Sequence, residues 1–141
     1  MEFLKVDDSR YLVRLVKGEE IVSTLKAFAV QEKIKLAMLQ GLGAVDDLTV
    51  GVFDTASKQY ESNHFSGAFE VLSLTGTIDT MHGDFYSHYH ICVGDKQGRA
   101  WGGHLNEAWI SGTCELVVTI LPGQIDRFKD LDTGLNLWKL H

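Results

Sequence analysis

A single helical period in a chain otherwise built of short strand-like runs sets the fold class. Ile21, Val22, Leu25, Phe28 and Ala29 recur at the spacing of one helical face, the pattern that lets a helix bury one side. Glu19 and Glu20 fall in its expected first turn, where carboxylates suit the helix dipole. Before it, residues 11–16 form a β-like run that stops at Lys17-Gly18. From about Lys35 onward the periodicity changes. Strands are expected at 37–40, 48–54, 59–64, 69–77, 86–93, 99–105 and 115–121, most of them punctuated by Gly or by Asp, Asn and Ser. One amphipathic helix against many strands with short connections predicts an α+β domain, a mostly antiparallel sheet packed with one main helix.

The 141 residues suit a single domain spanning 1–141, a size that buries roughly 68–70% of the unfolded surface. One proline and 14 glycines, with 45% apolar residues, argue against disorder. No internal repeat or linker stands out. The first ten residues include acidic groups and no sustained apolar stretch, so no secretory signal is expected. No run reaches the roughly 20 apolar residues of a membrane span. Cys92 and Cys114 lie far apart in strand-like segments and read as reduced thiols of a cytoplasmic protein.

Chemistry concentrates in His88-Tyr89-His90 and in Gly102-Gly103-His104, fourteen residues beyond the second histidine. On a strand, His88 and His90 point to one face. Residues 94–98 (Gly-Asp-Lys-Gln-Gly) read as a turn, and a hairpin centred on Gln97 sets His104 opposite His90, with Cβ atoms roughly 5 Å apart. Three imidazoles from two adjacent strands make the three-ligand, open-position set of an exchangeable or catalytic zinc site. The double glycine leaves room for another backbone or a ligand. Cys92 shares the predicted face, so a minor ligand role is open. His82 sits in a turn-like segment and reads as a surface residue, as do His64 and His141. Asp46-Asp47 and Asp130-Leu131-Asp132 read as turn formers; calcium would need a denser oxygen set.

Two other fragments carry less. Gly41-Leu42-Gly43 lacks the third glycine and the following helix of a dinucleotide fingerprint, so it reads as a turn. His88-x-His90 with Asp95 and Gly102 resembles the first metal motif of cupins, but the acid is an aspartate in a turn, and the second, proline-containing motif is absent.

Taken in order, a longer set of fragments resembles the PPC (plant and prokaryote conserved) domain over nearly the whole chain. It comprises residues 14–21 (RLVKGEEI), 41–44 (GLGA), 69–78 (FEVLSLTGTI), the two histidine motifs, 112–118 (GTCELVV), and a tail from Arg127-Phe128 through Asp132, Gly134 and Leu135. The resemblance implies an antiparallel-rich α/β fold, a homotrimer, and, as in prokaryotic members, a metal site at His88, His90 and His104. The Arg-Gly-Arg-Pro core of the plant AT-hook is missing, so minor-groove binding does not carry over.

Three roles follow. The first is a zinc-binding, ligand-binding or interaction module without turnover, acting on an unidentified small molecule or partner. The second is a small zinc-dependent hydrolase or lyase, in which the ion lowers the pKa of water toward ~7. That chemistry wants a general acid or base, and Glu70, a charge in the apolar run from Phe69 to Leu74, is the candidate; it reads equally as a structural partner of Arg14 or Arg127. The third, a DNA-associated regulator by analogy with plant proteins, conflicts with a net charge of −6 and 13 unclustered basic residues, because phosphate binding needs clustered Lys and Arg.

Overall fold

The computed structural model describes residues 1–141. In chain order it holds β1 (Glu2–Lys5), β2 (Arg10–Val16), α1 (Ile21–Gln31), β3 (Ala37–Asp54), β4 (Gln59–Met81), β5 (Asp84–Gly94), β6 (Ala100–Ile120), β7 (Asp126–Lys129) and β8 (Asn136–Trp138). The sheet runs β1-β2-β6-β3-β4-β7-β8, and β5 pairs with both β4 and β6. Strands β3, β4, β5 and β6 therefore close an antiparallel circuit. The domain is largely sheet with one short helix, as the α+β expectation requires.

The helix forms where its period predicts. Ile21, Leu25, Phe28 and Ala29 are buried, and each of the larger side chains contributes about 1.5–3 kcal/mol by leaving water. The helix starts at Ile21, beyond the acidic pair rather than at it. Glu20 is the N-cap: its carboxylate accepts from the amides of Val22 (2.8 Å) and Ser23 (2.6 Å), which fills two of the four orphan donors of a helix start. The same carboxylate accepts from the Ala108 amide of β6 at 3.2 Å, so the cap also ties helix to sheet.

Between residues 37 and 121 the strands are longer and fewer than punctuation predicts, four in place of seven. Residues 37–40 and 48–54 belong to one 18-residue strand, β3, with irregularities between Gly41 and Gly43 and between Val45 and Asp47. Gly41-Leu42-Gly43 and Asp46-Asp47 are thus bulged strand rather than turns. A bulge bends and twists a strand without ending it, which is how strands of 18, 23 and 21 residues wrap around one core. Twenty-five buried apolar residues form that core, among them Leu15, Phe28, Leu39, Leu74, Tyr89 and Ile110. No helix is long and apolar enough to cross a membrane.

Strands β7 and β8, unforeseen from the sequence, are fastened by one buried ion pair. Arg127 donates to Asp79 through Nε to Oδ1 and Nη2 to Oδ2, both 2.7 Å, and Trp138 Nε1 donates to the same carboxylate at 2.7 Å. The guanidinium lies 4.8 Å from the Tyr86 ring and 5.5 Å from that of Trp138, so two aromatic faces cover the cation.

Candidate metal centre

The hairpin that carries the histidines is built as the sequence suggests. Asp95 organises its turn: the carboxylate accepts from the amides of Gln97 and Arg99 (both 2.9 Å), Arg99 Nε (2.7 Å) and Trp101 Nε1 (3.3 Å). Burial alone would raise that carboxyl, but the hydrogen bonds from Arg99, Trp101 and Gln97 outweigh it and hold it at about 2. With the turn fixed, β5 and β6 pair His90 with His104, Ile91 with Gly103 and Cys92 with Gly102. On the other side β5 pairs with β4, setting Thr77 beside His88 and Thr75 beside His90.

The double glycine admits a neighbouring backbone. A Cβ on Gly103 would come within 2.7 Å of the Gly51 carbonyl oxygen of β3, so only glycine lets β3 and β6 approach at the level of the third histidine. Gly76 does the same service on β4, where a Cβ would overlap the His88 carbonyl and meet the Tyr89 ring at 2.6 Å.

These constraints bring the imidazoles together on the outer face of the sheet. Ligand atoms of His88, His90 and His104 all lie within 4.8 Å of one another. His88 Nε2 and His90 Nε2 are 3.1 Å apart; two nitrogens bound at ~2.0–2.1 Å to one tetrahedral ion are about 3.3 Å apart. Ring centroids are separated by 4.9, 5.1 and 5.8 Å. Burial, reinforced by the charges of His104, His90 and Arg127, lowers the His88 pKa to about 4, and burial also lowers that of His104. Neutral imidazole is the form that ligates metals. The donor set therefore fits a divalent transition ion, and the cluster contains no carboxylate or thiolate.

Other candidates lie elsewhere. Glu70 is exposed and opposite Gly94, four residues along β5 from His90, or about 13 Å of strand at ~3.3 Å per residue. Neither suggested partner reaches it, since Arg14 pairs with Glu2 and Arg127 with Asp79. Cys92 is free and half-buried, outside the imidazole cluster. His82 occupies the β4–β5 turn with φ 56°. His64 is exposed yet has a partner, Asp47 Oδ2 at 2.9 Å. Sequence reasoning missed Asp79, and set Arg127 against Glu70 rather than Asp79; the charges of both act on His88, and a lone acid inside the strand-like segment Thr77-Ile78-Asp79-Thr80 was the available signal.

Known proteins share this fold and part of its sequence. The curated bifunctional protein GlmU of Synechococcus sp. (strain JA-3-3Ab) is 32% identical over 129 residues, covering 88% of this chain and 19% of that protein. The chain thus spans about a fifth of the length of the curated relatives it matches. Among solved structures, a "putative dna binding protein" from Bacteroides thetaiotaomicron superimposes with TM-score 0.94 at 33% identity, covering 98% of this chain and 96% of that one. A metal-containing protein from Archaeoglobus fulgidus gives TM-score 0.87 at 31% identity, covering 97% of this chain and 96% of its own. The model of the Plants and Prokaryotes Conserved (PCC) domain, the PPC family of the resemblance, matches residues 5–122, and the chain belongs to that family.

Proposed function

We propose that this chain is a metal-binding module whose His88, His90 and His104 hold one divalent transition ion, zinc foremost, on the outer face of the sheet. The convergence of three imidazole ligand atoms within 4.8 Å carries the reading. A ligand set of nitrogens alone suits zinc better than the oxygen-seeking magnesium or calcium. The archaeal relative described as metal-containing, similar over nearly its whole length, supports it. Bound there, zinc would supply a Lewis acid with an open position. The chain's own part is to hold His88 and His104 neutral and to aim all three rings from a hairpin locked by Asp95.

The module acts as an oligomer, and the trimer implied by the family is the state we favour. Leu4, Leu12, Leu42, Leu72 and Val117 are 62%, 47%, 62%, 58% and 37% exposed, and all five line a single groove of about 780 Å³. An apolar surface this continuous is a mark of association. Register carries the same face to the histidines, since Leu12 pairs with Val117, Val117 with Gln40, Gln40 with Thr75 and Thr75 with His90.

Binding or assembly, rather than turnover, is the role this geometry favours, because Glu70, the acid or base proposed for a hydrolase or lyase, stands away from the triad of its own chain. Specific duplex binding is not part of the reading. The Bacteroides relative is described as a "putative dna binding protein", but here the net charge is −6 and Arg10, Arg14, Arg99 and Arg127 are each paired with a carboxylate. The test is metal stoichiometry after zinc loading and removal of excess ion, in wild type and in His90→Ala and His104→Ala. One equivalent per chain in wild type and none in either variant is expected; wild-type content in both variants contradicts the assignment.

A further inference from the structure

Two neutral residues stand beside His104 with no part in holding the ion. The Tyr60 ring sits edge-on to the His104 imidazole, centroids 6.2 Å apart and planes at 89°. It lies across Gly51 of β3, where a Cβ would overlap the phenol oxygen, and Gly51 is the register partner of His104. Asn106 is two residues beyond His104. Between Thr49 and Val50 the register slips from Glu107 to Leu105, which leaves Asn106 as the extra residue of a bulge, a device that re-aims a side chain. Its Oδ1 accepts from the Tyr60 hydroxyl at 2.6 Å. With its oxygen turned to Tyr60, the amide keeps two Nδ2 protons that meet no protein acceptor.

Charge completes the argument. Three neutral imidazoles do not offset a dication, and no carboxylate joins them; the charge left over favours an anion at the open position. We propose that this exchangeable ligand is a small carboxylate, with one oxygen on the metal and the other accepting from Asn106 Nδ2, and that Tyr60 is the positioning residue that fixes the amide. The proposal rests on the metal reading above. Phosphate fits less well, since it calls for charged donors and Arg127, the guanidinium that acts on His88, is spent on Asp79.

The test loads cobalt(II) into wild type, Asn106→Ala, Asn106→Asp and Tyr60→Phe, and follows the visible cobalt bands during titration with sodium acetate or inorganic phosphate at constant ionic strength. All four proteins are expected to take one cobalt per chain. Acetate shifts the wild-type bands and saturates, and phosphate binds more weakly. Affinity for acetate falls about tenfold or more in Asn106→Ala, because a hydrogen bond to a charged group is lost, and about threefold in Tyr60→Phe; Asn106→Asp abolishes the response. Equal acetate affinity in wild type and Asn106→Ala, or tighter binding of phosphate than of acetate, overturns the proposal. Unchanged affinity in Tyr60→Phe overturns the role given to Tyr60. Wild type that takes cobalt but ignores acetate overturns this inference alone, whereas wild type that takes no cobalt overturns the metal reading and this one with it.

Discussion

Removing the Asp79 carboxylate should cost this domain more than almost any other single change to a polar residue. The Asp79 side chain is 0% exposed and that of Arg127 is 7%, so Asp79→Ala strands a guanidinium between two aromatic rings and deprives the Trp138 indole of its acceptor. Breaking a buried pair by deleting one partner costs about 3–5 kcal/mol. At ~4 °C per kcal/mol for a domain of this size, the melting temperature falls by about 12–20 °C. Calorimetry on wild type, Asp79→Ala, Arg127→Met and the double variant Asp79→Leu/Arg127→Met supplies the numbers. The double variant should recover most of the loss, because two apolar side chains of similar bulk leave no charge to desolvate. Tryptophan fluorescence should report Trp138 leaving its site in Asp79→Ala. A loss below about 1 kcal/mol, or a double variant whose loss equals the sum of the single ones, would refute the view that one charge pair fastens β7 and β8.

Three further outcomes follow from named contacts. Asp95 is held at about 2 against an ordinary 3.8, so its contribution to the hairpin is complete above 3.8 and is lost as pH falls from there toward 2; amide exchange at Gln97 and Arg99 should accelerate over that window, and Asp95→Asn should show the faster exchange already at neutral pH. Glu20→Ala removes a cap with two amide partners and should destabilise the domain by about 0.5–2 kcal/mol in urea unfolding, with Glu20→Asp intermediate. Leu42→Asp places a charge on the apolar outer face and should lower the mass found by light scattering; a wild-type chain that is already monomeric at micromolar concentration would dismiss the oligomer.

How much of this was readable beforehand depends on the range of the interaction. The helix was legible because Ile21, Leu25, Phe28 and Ala29 obey a local period, and the clustering of His88, His90 and His104 because strand alternation and a short hairpin are local rules as well. Strand number was misjudged where Gly41, Gly43 and Asp46, which usually end strands, instead make bulges inside one; only the neighbouring strands distinguish the two outcomes. The Asp79–Arg127 pair spans 48 residues and the Tyr60–Asn106 pair 46, and neither leaves a periodic trace. Glu70 drew attention as a charge in an apolar run, but the face it occupies depends on an irregularity between Val71 and Ser73.

The account turns on the identity of the ligands, which X-ray absorption at the zinc edge reads directly. Protein loaded with one equivalent should give a first shell fitted by nitrogen or oxygen at ~2.0–2.1 Å, with multiple scattering from three imidazoles. His104→Ala, competing for the same equivalent, should leave the ion outside that environment. A first shell with sulfur at ~2.3 Å, or an imidazole signal unchanged in His104→Ala, would contradict a site made of His88, His90 and His104.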